Sequence, residues 1–179
     1  MRSEETALKR LPIVPLLAIA TLALDQFTKW LVVSNLEVDQ PVYPIPALSG
    51  LFGFTYVTNT GVAFGLFKEA GTFFIFIAVI VITVIVYYLR RLPKDQGLVR
   101  LALGLQLGGA FGNLLDRLRL GHVVDFIDFK FWPIFNVADS AIVIGVVLLA
   151  ISMWRENRST ATAQPQEPDP SSGGEQLPG

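Results

Sequence analysis

Cysteine is missing from this chain of 179 residues. Disulfides, thiolate metal ligands and cysteine nucleophiles are excluded with it. Histidine occurs once, as His122, which excludes a His-Glu-x-x-His zinc protease, a motif that needs two. Charge is scarce as well. Asp, Glu, Lys and Arg make up 16% of the residues, and a net charge of −1 leaves no basic footprint for nucleic acid. Any chemistry must come mostly from carboxylates, amides, hydroxyls, lysine and arginine.

What the chain does have is apolar bulk. Hydrophobic residues are 52% of the sequence, and mean hydropathy is +0.52. The stretch from Arg155 to Gly179 contributes only three of them, Ala161, Ala163 and Leu177. The composition is that of a membrane protein with a polar tail. Four spans are expected, at about 11–33, 71–89, 101–118 and 136–154, forming one membrane domain over 1–154, with 155–179 as a disordered tail. The basic start followed by an apolar run also has the outline of a secretory signal peptide. The run is long for that, and no clean small-residue cleavage site leads into a soluble domain.

Four spans put both termini on one side. Arg2, Lys9, Arg10, Arg90, Arg91, Lys94, Arg100, Arg155 and Arg158 then share it, against Lys68, Arg119 and Lys130 on the other. Nine against three makes the termini cytoplasmic. Segments 34–70 and 119–135 face outward.

A charge at the centre of a span costs about 2.5–3.5 kcal/mol on insertion scales, so each one needs a reason. Helix rise places Asp25 about 21 Å along span one from its inner end, and Asn113 and Arg117 about 18 and 24 Å along span three. Asp139 lies about 22 Å above the inner end of span four. Three spans thus bring polar groups to one level in the outer third of the bilayer, as one shared site would require. Asp25 and Lys29 are spaced as a helical ion pair, which favours a structural role for that pair. Gly104, Gly108 and Gly112 form a small-residue ridge suited to close helix packing.

In the outer segments, Leu51–Asn59 alternates as a strand, with Phe52, Phe54 and Tyr56 on one face. If His122–Phe131 is extended, Asp125 shares a face with Ile127, Phe129 and Phe131, where burial raises a carboxyl pKa. Asp128 and Lys130 fall on the other face, and Asp128 reads as a solvated acid beside a base. Without cysteine and with one loop histidine, a pair of aspartates is the most plausible catalytic device. Two carboxyls around one water share a proton: one activates the water, the other polarises the carbonyl. Asp125 and Asp139 are the natural pair, although spacing leaves Asp116 able to replace either.

Five ordered blocks carry a resemblance. Asp25-Gln-Phe-Thr-Lys29, Asn59-Thr-Gly-Val-Ala-Phe-Gly65, Gly108-Gly-Ala-Phe-Gly-Asn-Leu-Leu-Asp-Arg117, Val123-Val-Asp-Phe126 and Phe135-Asn-Val-Ala-Asp-Ser140 resemble the motifs of the lipoprotein signal peptidase family (bacterial signal peptidase II) over about 11–154. The resemblance implies an aspartic endopeptidase of the bacterial inner membrane. Such an enzyme cleaves prolipoprotein signal peptides immediately before a diacylglyceryl-modified cysteine, near the outer face. It implies a membrane all-α core of four transmembrane helices, a small extracytoplasmic antiparallel β-cradle and a mobile outer loop. The family's catalytic pair falls on Asp125 and Asp139. Asn59, Asn113, Arg117 and Asn136 match positions that line the site and orient substrate. Asp25, Lys29 and Asp116 match structural support. Expected partners are lipidated prolipoprotein signal peptides, membrane lipid and the peptide antibiotics that inhibit the family. A monomer without metal or cofactor is expected. Two other readings compete: a small transporter or channel subunit with an outer-leaflet polar site, and a non-catalytic assembly protein in which Asp125 and Asp139 serve as ion-pair partners.

Overall fold

A computed structural model of the chain describes residues 13–61, 70–93 and 95–162. Helix α1 spans Ile13–Asn35 and leads into strand β1, Pro41–Val42. A single 3-10 turn at Pro46–Leu48 precedes strand β2, Phe52–Asn59. Helices α2 (Ala70–Arg91) and α3 (Gly97–Leu120) follow. Strand β3 (Val123–Phe129) and helix α4 (Val137–Thr162) complete the order. Among the described residues, four helices are long and apolar enough to cross a membrane, and the strands form one antiparallel sheet in the order β1-β2-β3. This is the expected fold class: a membrane helical core with a small antiparallel sheet.

The central helix is α3. Half of its most apolar window is buried within the protein, against 6% for α2. Glycine makes that centrality possible. A methyl group on Gly108 would stand 2.6 Å from the Ala18 carbonyl oxygen of α1, and one on Gly112 would stand 2.5 Å from the Asp25 carboxylate. The ridge read from the sequence is therefore the seam between α1 and α3. At its end α3 turns through Gly121 in the left-handed region (φ 78°), whose N–H donates to Arg117 O at 3.1 Å. The turn feeds the chain directly into β3.

β2 and β3 pair with a bulge. Phe54 lies opposite Ile127 and Val57 opposite Asp125, so Thr55 and Tyr56 share Phe126 between them. Val124 and Phe126 pack into a core with Val32 of α1. That contact overturns one expectation. Asp128 lies on the same face as Val124 and Phe126, so that face is covered rather than open to water. Asp128 is 6% exposed. It accepts hydrogen bonds from Thr55 Oγ1 at 2.6 Å and from Lys130 Nζ.

Element ends also differ from the expected boundaries. α3 starts at Gly97 and α4 continues to Thr162, so the first residues of the expected disordered tail are helical. The hydropathy pattern marks where apolar residues stop, whereas a helix continues through polar residues until a cap or breaker ends it. Arg2, Lys9, Arg10, Lys68 and Lys94, the remainder of the tail, and the Asn59–Gly65 block beyond Gly61 lie outside the described residues.

Candidate active site

The site is assembled at the junction of α3, β3 and the start of α4. Asn136 and Asp139 form a reciprocal cap on α4. Asp139 N donates to Asn136 Oδ1 at 2.9 Å, and Asn136 N donates to Asp139 Oδ2 at 3.3 Å. This is the capping-box arrangement, in which residue and cap each satisfy a free donor of the other. Asn113 of α3 adds a further donor, with Nδ2 2.7 Å from Asp139 Oδ1.

Asn136 reaches Asp125 as well. Its Nδ2 donates to Asp125 Oδ1 at 2.7 Å, while Asn59 Nδ2 donates to Asp125 Oδ2 at 2.8 Å. Asn59 is itself set by a turn, since Gly61 N donates to its Oδ1 at 2.8 Å. One buried residue, Asn136, thus contacts both aspartates of the candidate catalytic pair. Burial, with the negative charge of Asp139 adding to it, pushes the Asp125 carboxyl up to about 6, against the opposing hydrogen bonds from Asn59 and Asn136. Asp128 goes the other way. Its own burial is outweighed by the hydrogen bonds from Lys130 and Thr55 and by the Lys130 charge, which hold it below the usual carboxylate range.

Beneath this pair lies a second polar layer. The Lys29 ammonium is 2.9 Å from Asp25 Oδ2 and 2.8 Å from Asp116 Oδ2, and it donates to Asn113 Oδ1 at 3.1 Å. Asn136 Nδ2 also approaches Asn113 Oδ1, at 3.1 Å. With its oxygen facing two donors, Asn113 must turn its amide nitrogen to Asp139. Asp25 Oδ1 accepts from Ala138 N at 2.9 Å, the second residue after the Asn136 cap, so α1 holds the start of α4. Asp116 Oδ2 accepts from Val124 N at 3.2 Å, which ties α3 to β3.

Sequence reasoning missed Gln26. Its Nε2 donates to Asp116 Oδ1 at 2.9 Å and to Asp25 Oδ2 at 3.2 Å. Its place beside Asp25 in a span where polar groups are costly was the available signal. Arg117 stands over the Phe74 ring at 5.2 Å, and Nη1 donates to Asn113 O at 3.4 Å. Its Nε is buried without a partner among the described residues, as is His122 Nε2. No group of three His, Cys, Asp or Glu side chains among the described residues is arranged to hold a metal ion.

Fold and site together define a multi-pass membrane protein with a polar centre at one end of its helix bundle. A family model, Signal peptidase (SPase) II, matches residues 17–155. The lipoprotein signal peptidase of Moorella thermoacetica is 48% identical over 134 residues, covering 75% of this chain and 87% of that protein. The Bacillus subtilis lipoprotein signal peptidase is 46% identical over 142 residues, covering 77% and 90%. A bacterial membrane enzyme solved by the in meso method at 2.3 Å superimposes with a TM-score of 0.73 at 30% identity, covering 89% of this chain and 96% of that one. The chain belongs to the signal peptidase II family and is a membrane protease.

Proposed function

We propose that this protein is an aspartic endopeptidase that removes signal peptides from bacterial prolipoproteins, cleaving before the diacylglyceryl-modified cysteine. The observation that carries the reading is the Asn136 amide held between Asp125 and Asp139. It sets two carboxyls of different environment around one small space. Between them they share a proton. The ionised aspartate takes a proton from water as the water oxygen attacks the scissile carbonyl. The protonated aspartate donates its hydrogen bond to the carbonyl oxygen. Collapse of the tetrahedral intermediate then breaks the C–N bond, and a proton passes to the leaving amine of the cysteine. Asp125, at about 6, exchanges its proton near the working pH, where acid-base catalysis is effective.

Asn59, Asn113 and Asn136 orient the dyad, and the buried Arg117 Nε is a donor available to a substrate carbonyl. Asp25, Lys29 and Asp116 brace it. The enzyme sits in the inner membrane with both termini cytoplasmic and the dyad near the outer face. There a lipidated cysteine keeps its acyl chains in the outer leaflet. The peptide antibiotics that inhibit the family would occupy the same centre.

The test is cleavage of a lipidated precursor by the purified full chain. Asp125→Asn and Asp139→Asn are each expected to fold and to lose about 10²–10⁴-fold in turnover, whereas Asp128→Asn keeps most of it. Near-normal turnover in either dyad variant overturns the assignment.

A further inference from the structure

Away from the dyad, α2, α3 and α4 enclose a cavity of about 620 Å³. Its walls include Val84 and Tyr88 of α2, Leu103 and Gln106 of α3, and Leu149 and Met153 of α4. Helix α2 packs on α3 but makes no extended contact with α4, so the cavity is a cleft between α2 and α4 floored by α3. The walls are mostly apolar, and Gln96, Gln106, Ser152 and Glu156 are their polar residues. Gln106 Nε2 is buried without a hydrogen-bond partner among the described residues. Helix α4 makes room for this side chain, since a methyl group on Gly145 would stand 2.6 Å from Gln106 Cγ.

The cleft and the dyad share helix faces. Gln106 is seven residues before Asn113, and Met153 is twice seven after Asp139. A step of seven returns to nearly the same face of a helix, so both walls lead straight to the dyad. By helix rise, the cleft begins about 10 Å from it at Gln106 and ends about 26 Å from it at Glu156. A signal peptide presents an apolar core of about 7–15 residues before its cleavage region, about 10–22 Å long as a helix. The cleft, about 15 Å from end to end by helix rise, falls within that length.

The orphan amide discriminates between occupants. Gln106 lies about 14 Å above the Gly97 end of α3, near the middle of a hydrocarbon layer about 30 Å thick. A lipid acyl chain has no acceptor at that depth and would leave the buried donor unpaired, which is costly. A peptide segment carries hydroxyls, and its carbonyl oxygens retain a second lone pair even within a helix.

We infer that this cleft seats the apolar core of the substrate's signal peptide, with Gln106 donating to a carbonyl or hydroxyl oxygen within it. The inference rests on the peptidase reading above. It places the contacting substrate residues about 7–17 positions before the scissile bond, at the helix rise used for the cleft.

Site-specific photocrosslinking tests it. A photoreactive residue is placed at Val84 or Met153 of the full chain in phospholipid vesicles, with Asp139→Asn to arrest turnover and a lipidated precursor added. Val79, on the opposite face of α2 and 46% exposed, is the control position. Adducts are expected from Val84 and Met153 to that precursor segment, competed by unlabelled precursor, and none from Val79. In the otherwise unaltered chain, Gln106→Leu is expected to raise KM about five-fold, the worth of one net hydrogen bond, with kcat unchanged. Adducts to phospholipid alone, or an unchanged KM, overturn the inference. If Asp125-dependent cleavage persists alongside that result, the peptidase reading stands without it. If the parent chain cleaves nothing, both fall.

Discussion

Asp125 and Asp128 lie three residues apart on one strand, and their surroundings drive them in opposite directions. Asp125 carries a thermodynamic signature that does not depend on turnover. Its folded-state pKa of about 6 is above the unfolded value of about 4. The folded state therefore binds the extra proton between those values, and its stability relative to the unfolded chain declines as pH rises through them. Asp125→Asn removes this dependence. The Tm of the variant relative to the parent is expected to climb between about pH 4 and pH 7, with most of the change complete above the folded pKa. A difference that stays flat across that range would show that Asp125 is not held in a desolvated position. Strand parity separated the two aspartates in the sequence, but for an incomplete reason. It assumed one wet face, and α1 covers that face through Val32 against Val124 and Phe126. Contacts between residues far apart in the chain leave no trace in local alternation.

At the scale of elements, the α1–α3 seam is the most demanding contact. The 2.6 Å gap to a backbone oxygen leaves no flexible group able to yield. Gly108→Ala is expected to destabilise the protein by about 1–3 kcal/mol through overpacking, measured as a fall in Tm in detergent, whereas Gly97→Ala, with open space around it, should lose far less. The glycine spacing was legible because a ridge repeats every four residues on one helix. The four spans were legible for a similar reason, because lipid demands long apolar runs. The bulge in β2 was not legible, since it depends on the register chosen by β3. The Asn136–Asp139 cap was legible in principle. Asn-x-x-Asp opening an apolar run is a helix-start signal, although its role in joining the two aspartates depends on β3 arriving from elsewhere in the chain.

For the whole molecule, an even number of spans among the described residues and the bias of basic residues make one topological expectation. A protease-sensitive tag inserted between Ser49 and Gly50, where the backbone is exposed and open, should be cut when protease is added outside intact spheroplasts. The same tag following Gly179 should be cut only after lysis. The reverse pattern would invert the orientation and move the dyad to the cytoplasmic face.

The buried Lys29 also bears on how such a chain is made. Its ammonium joins Asp25, one helical turn away, to Asp116 on α3, which is synthesised much later. When α1 first enters the bilayer it can carry Asp25 and Lys29 as a local pair. Asp116 has Arg119 three residues on along its own helix, but the ammonium it contacts belongs to α1 and is met only when α3 docks. Lys29 is thus a partner within its own helix first, and a clasp between the first and third spans once they lie side by side.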